Sequence, residues 1–265
     1  MMDHIGGLKK MSKRVVFCAN GTWDSSGNNT NVYKIFKALN TGADQVPYYD
    51  DGVGANGLPL EKLAGGAFGA GLFQKIKDGY TKIAQVYEEG DQVFLFGFSR
   101  GAYTARCLAG MIAICGLPTA KFTDAAVETA FQAYRDRIQR AKLLAQLNAT
   151  CNLFDAKPAM VGVWDTVGAL GIPAIFGGVD PLIYGFLDTT LHPDVLHAYH
   201  ALAIAGGSYQ DDPNGTALSD LTLAWVMSKA SALGLEFAAD VQSQYALPMD
   251  PKFALDQKHE SWNPL

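Results

Sequence analysis

The sequence has no apolar run long enough to span a bilayer, no basic cluster and no cysteines at metal-ligand spacing. A formal charge of −5 without a basic patch argues against nucleic acid and against electrostatic docking on anionic lipid. The four cysteines, Cys18, Cys107, Cys115 and Cys151, are scattered, and three sit in apolar surroundings. That pattern predicts buried free thiols in a reducing compartment. Residues 1–14 lack the apolar centre of a signal peptide, so synthesis in the cytoplasm is expected, with delivery by a signal-less route left open. Met11 suits a natural start, and residues 1–13 read as a disordered or appended stretch outside the fold.

What is present is enough for a full core: 265 residues, 49% of them apolar. The length suits one α/β domain or two small ones. With no repeat and no linker composition, one domain over 1–265 is expected, with a mostly parallel sheet between helices. The densest signal runs from Asp91 to Arg106. Val93 to Phe96 is a short apolar run of buried-strand type, Gly97-Phe98-Ser99-Arg100-Gly101 fits G-x-S-x-G, and Ala102, Ala105 and Leu108 to Ile112 fall at helical spacing. Strand, tight turn with serine at its apex, then helix is the context of a nucleophile elbow. The serine backbone must be strained for its hydroxyl to stand clear, and the flanking glycines let strand and helix approach. Without that context the motif would read as a glycine-lined turn with an incidental serine.

Around it, Arg14 to Ala19 is predicted as a first strand, ending in Asn20-Gly21-Thr22-Trp23 and a polar loop. Thr30 suits a helix cap before Val32, Ile35, Phe36 and Leu39. Val46 to Asp50 reads as a second strand and Leu72 to Tyr87 as an amphipathic helix. The glycines between them do not form a phosphate loop, since no Gly-Lys-Ser/Thr follows. Phe122 to Leu147 is a long helical stretch, expected as a cap within 118–150 or as a solvated hairpin. Ala159 to Trp164 is a buried strand ending at Asp165, where the acid of a serine hydrolase would stand or, more plainly, a turn aspartate. The broken apolar stretch 168–184 reads equally as a substrate pocket or a packed loop. Val195 to Ala205 fits helix or strand, and Leu218 to Leu233 a helix. Among the histidines, His192 looks like a turn residue, His197 and His200 like satisfied core residues, and His259 like an exposed tail residue; His4 comes too early.

Gly97-Phe98-Ser99-Arg100-Gly101-Ala102-Tyr103-Thr104-Ala105-Arg106 resembles the signature of a large α/β-hydrolase family, formerly a domain of unknown function, that includes type VI secretion phospholipase effectors. Gly21-Thr22-Trp23, Thr30-Asn31-Val32-Tyr33, Tyr49-Asp50-Asp51-Gly52-Val53-Gly54, Gly162 to Gly168 and His200-Ala201-Leu202-Ala203-Ile204 match as well. The resemblance implies an α/β-hydrolase-like fold and a serine hydrolase of carboxylic esters, of lipase or phospholipase type. It would work through a Ser-Asp-His triad and an acyl-enzyme, without cofactor or metal, on a small-molecule or lipid ester. Ser99 matches the nucleophile and Asp165 the acid; the oxyanion donors would be the backbone N–H of Arg100 and one from Gly21 or Thr22. A non-lipid esterase or thioesterase, and an inactive binding protein of the same fold, are the rival expectations.

Two departures stand out. Asn20 occupies the place of a family aspartate. And where the family continues through a further helix and strand to a histidine motif, this chain runs from Ala205 directly to Gly206-Gly207-Ser208-Tyr209. The resemblance implies that the catalytic histidine belongs to a segment absent between Ala205 and Gly206; a true deletion would give the inactive protein.

Overall fold

The structure is a computed structural model, described for residues 12–22, 24, 29–52, 54, 67–119, 122–167, 190–202 and 216–247. Three strands set its frame. β1 (Arg14–Ala19), β3 (Gln92–Phe98) and β6 (Pro158–Trp164) lie side by side and parallel, and β1 and β6 are buried along their whole length. Continuous burial of a parallel strand requires cover on both faces, which explains why these runs are apolar throughout rather than alternating. β2 (Gln45–Asp50) flanks β1, and β7 (Ala198–Ala201) flanks β6, giving the order β2-β1-β3-β6-β7 with every pairing parallel. Pro47 is tolerated because β2 is an edge strand. The stretch 195–205, open between helix and strand on pattern, supplies β7 over its first half; residues 203–205 lie outside the described part.

The helices divide by strand parity. Val15, Phe17 and Ala19 point into one core with α2 (Ala67–Val86), α3 (Arg100–Cys115) and α4 (Asp124–Arg135). Val16 and Cys18 point into the other, with α1 (Asn31–Ala38) and α6 (Thr216–Ala232). Thr30 caps α1 as expected, its side chain accepting from the Tyr33 N–H. Asn31 joins α1 to α6: its amide donates to the Ser219 carbonyl at 3.2 Å and accepts from the Ser219 hydroxyl at 3.1 Å, beside a Lys34–Asp220 ion pair. The Thr-Asn-Val-Tyr motif is therefore a joint between helices.

Two helical expectations change. α2 begins at Ala67, so Gly69 and Gly71 belong to the helix rather than to the connection before it. The stretch from Phe122 is not one helix. Asp136 ends α4, and its carboxylate accepts from the N–H groups of Ile138 and Gln139, turning the chain into α5 (Arg140–Thr150). The hairpin does not stand apart as a cap. α4 buries Ala130, Phe131 and Tyr134 against α2 and α3, with Phe131 stacked obliquely on Phe73. Its roots pair as β4 (Leu117–Pro118) and β5 (Leu153–Phe154), at the end of α3 away from Ser99. A short α7 (Ala239–Gln244) follows α6.

The strand order decides where a site can form. From β1 the chain steps one way to β2 and then crosses back to β3 on the other side. The crevice beyond the carboxyl ends of β1 and β3, where winding reverses, is where open α/β sheets bind ligands. Asn20 to Thr22 and Ser99 both lie there, since Ala19 pairs with Gly97.

Candidate active site

Ser99 stands between the last residue of β3 and the first of α3 with φ 54° and ψ −116°. A non-glycine residue there carries strain of roughly 1–3 kcal/mol, held in place by its surroundings. Those surroundings are close. A Cβ on Gly97 would run into the backbone of Gly101 and Ala102, and one on Gly101 into the carbonyls of Ala19 and Asn20. Strand, helix and the end of β1 are thus in backbone contact around the serine. Its N–H donates to the Trp164 carbonyl at 3.0 Å, and its carbonyl accepts from Val167 at 3.1 Å. Its hydroxyl does not cap α3.

Both bonds of the serine backbone lead to the end of β6, where Asp165 also has a left-handed backbone, φ 43°. Trp164 fixes this corner: it is buried and its indole N–H donates to Thr222 of α6 at 3.0 Å. Successive amides of the turn then grip different neighbours. Asp165 donates to the Ala201 carbonyl at 3.2 Å, Thr166 to Nε2 of His200 at 3.4 Å, and Val167 to Ser99. The candidate nucleophile and the candidate acid therefore share one hydrogen-bonded corner.

On the other side, Asn20 is buried and saturated. Its Oδ1 accepts from the Thr30 hydroxyl at 2.8 Å and the Gly21 N–H at 3.0 Å, and its amide donates to the Tyr49 hydroxyl at 2.7 Å. Burial pushes the Tyr49 phenol well up, which suits its role as a neutral acceptor here. The Gly52 N–H donates to Asp24, tying the Tyr49-to-Gly54 motif to this loop. The Gly21 N–H, one of the two loop amides expected as oxyanion donors, donates to Asn20 Oδ1 in this structure. The Thr22 hydroxyl is itself buried without a partner.

The histidines also depart from expectation. His197 and His200 are exposed, not core, because β7 is an edge strand of the described sheet. His192 is a turn residue as expected, its Nδ1 accepting from the Asp194 N–H at 3.3 Å. His200 pairs in register with Val163 and lines a pocket of about 170 Å³ with Arg106, Val161, Val163 and Leu191. Partial desolvation against the pocket wall chiefly, then the charge of Arg106, pulls its pKa below 6.5, with Asp165 acting in the opposite sense. Its place beside the acid turn was missed because it depends on strand register. The hydrogen-bond partners of the described histidines do not include the Ser99 hydroxyl. His4, His259, the 168–184 stretch and the Ala205–Gly206 junction all lie outside the described residues. Among the described residues no cluster of three or more His, Cys, Asp or Glu side chains could hold a metal, and no helix is long and apolar enough to cross a membrane. Cys18, Cys107 and Cys115 are buried thiols outside any disulfide.

A model of the catalytic domain of Tle1-like type VI secretion phospholipase effectors matches residues 13–206. The chain belongs to this family. The match takes in Ser99 and Asp165 and ends at Gly206, one residue past the Ala205–Gly206 junction. A Saccharomyces cerevisiae protein, the uncharacterized YEL023C, is 29% identical over 187 residues, 60% of this chain and 27% of its own length. An uncharacterized Pseudomonas aeruginosa protein of known structure aligns with a TM-score of 0.50 at 13% identity, over 92% of this chain and 48% of that one, a likeness of fold. The Tle1 effector bound to the VgrG spike aligns at 13% identity over 73% of this chain and 45% of that one, with a TM-score of 0.41. The Tle1-like chain thus spans less than half of each of these relatives.

Proposed function

We propose that this Tle1-like domain is a serine hydrolase of carboxylic esters, of the lipase or phospholipase class, with Ser99 as nucleophile and Asp165 as the acid of its triad. One observation carries the reading: Ser99 holds a strained elbow backbone and is hydrogen-bonded through its own main chain to the corner that bears Asp165. A histidine activates the Ser99 hydroxyl, which attacks the ester carbonyl; the alcohol leaves with the proton, and water then releases the acyl group. The developing oxyanion meets the N–H of Arg100, in the first turn of α3 where amides have no intrahelical acceptor, and that of Thr22. Asp165 orients the histidine and stabilises its charged form. The base in this reading is a histidine from a segment expected between Ala205 and Gly206. The family match also supports delivery through a type VI secretion system as part of this proposal.

A second reading has one observation in its favour: no described histidine reaches Ser99, which suits a binding protein that keeps the elbow without the base. A fluorophosphonate probe separates the two. The expected result is labelling of wild type at Ser99, none of Ser99→Ala, and loss of medium-chain ester and phospholipid-vesicle hydrolysis in that variant with its circular dichroism unchanged. Absence of labelling in wild type favours the binding protein, and full turnover by Ser99→Ala refutes the assignment. Hydrolysis of soluble esters but not of vesicles identifies a non-lipid esterase or thioesterase.

A further inference from the structure

We propose that His200 is a positioning residue: its neutral imidazole accepts the Thr166 N–H and thereby holds the turn that carries Asp165 against Ser99. The inference rests on the reading of Ser99 and Asp165 as nucleophile and acid, and concerns what sets their relation.

The turn is three residues long and each amide is committed. Asp165 and Thr166 donate to β7, at Ala201 O and His200 Nε2, and Val167 donates to Ser99. Asp165 has a left-handed backbone that its side chain does not favour, so the turn depends on these neighbours for its shape. Of the three grips, that of His200 is the one made by a side chain, and at 3.4 Å it is long. The Thr166 hydroxyl lies 3.4 Å from the same Nε2 and accepts from Arg106 at 3.4 Å. Accepting an N–H fixes the tautomer: Nε2 carries a lone pair and the proton sits on Nδ1. Protonation would turn Nε2 into a donor facing a donor.

The surroundings favour the neutral form. Arg106 of α3 faces the imidazole on one side and Asp165, at the end of β6, on the other; on the opposite face of β7, Lys229 of α6 lies over Tyr199. Burial and Arg106 outweigh Asp165, so the folded pKa lies below 6.5. The grip on Thr166 is therefore present at neutral pH and is lost as pH falls through that lowered value. His200 is exposed beside the pocket it lines with Arg106, so solvent protons reach it.

Two readouts on the full chain test this. In amide NMR of the ¹⁵N-labelled protein between pH 5 and 8, the Thr166 resonance is expected to titrate with a midpoint below 6.5. In His200→Gln that titration disappears, since the glutamine Oε1 reaches the Nε2 position and accepts at every pH. At pH 7.5, fluorophosphonate labelling of Ser99 is expected to stay within about twofold in His200→Gln and to fall about tenfold in His200→Leu, the size of a small displacement of a catalytic group. A Thr166 resonance that is flat in wild type, or that titrates unchanged in His200→Gln, overturns the proposal, as does wild-type labelling of His200→Leu. If wild type is not labelled at all, the hydrolase reading fails, and the NMR titration alone still decides whether His200 holds the turn. Should His200→Leu not fold, wild type and His200→Gln carry the test.

Discussion

Replacing Asn20 with alanine removes three hydrogen bonds at once from the floor of the loop that follows β1. The Thr30 hydroxyl and the Gly21 N–H lose their acceptor and the Tyr49 hydroxyl loses its donor. Two of the three groups are buried donors, and the Thr30 hydroxyl also accepts from Tyr33, so its oxygen cannot move away without uncapping α1. Leaving a buried donor unpaired costs about 1–3 kcal/mol, so Asn20→Ala is expected to lose about 3 kcal/mol in all. Asn20→Asp is the informative partner. A carboxylate keeps both acceptor roles, and Tyr49 can rotate its proton to become a third donor, giving charge-assisted bonds that offset the buried charge. Asn20→Asp is therefore expected to stay within about 1 kcal/mol of wild type at pH 7. Urea unfolding followed by circular dichroism measures both. If Asn20→Ala unfolds within about 0.5 kcal/mol of wild type, or if Asn20→Asp loses as much as Asn20→Ala, the network is not what holds this loop.

Two further perturbations probe the same crevice from other sides. Gly101→Ala places a Cβ into the Ala19 and Asn20 carbonyls, where backbone on both sides cannot yield, so a loss above about 4 kcal/mol or failure to fold is expected, read by thermal melting; a loss below 1 kcal/mol would show that helix and strand are not in contact. Asp50 pairs with Lys75 at 2.7 Å, yet burial outweighs the lysine and holds its carboxyl above the usual 3.8. The folded chain thus holds that proton more tightly than the unfolded one. Lys75→Met raises this carboxyl further, so it is expected to cost about 2 kcal/mol at pH 7, and less as pH falls toward 4. Urea midpoints at the two pH values check the trend, and a loss that grows on acidification refutes it.

How far the site could be read ahead of the structure follows the range of the interaction that fixes each part. Ser99 is set by its own neighbours: a strand, two glycines that must lack side chains, and a helix, all within the Asp91 to Arg106 stretch. The helix break at Asp136 is equally local, yet it was hidden, because an aspartate that caps a turn looks the same in a string of helix formers as one that sits on a solvated face. The place of Asp165 at a strand end was legible, though the turn it begins is held by groups from β7 and the end of β3, through the carbonyls of Ala201 and Ser99. His200 could not be placed in this way. Its role depends on whether residues 198–201 are a strand at all, and then on a register that sets His200 beside Val163; a slip of one residue would turn the imidazole to the α6 face. The bond from the Gly21 N–H to Asn20 has the same origin: the motif marks the loop, but the approach of Asn20 to Thr30 and Tyr49 decides how that amide is used. The elements that position the site are local in sequence, whereas the choice among donors and histidines is made across strands. Asn20 is a residue of the second kind, and the paired substitutions there test whether its bonds to Thr30 and Tyr49, both distant in sequence, hold the loop in place.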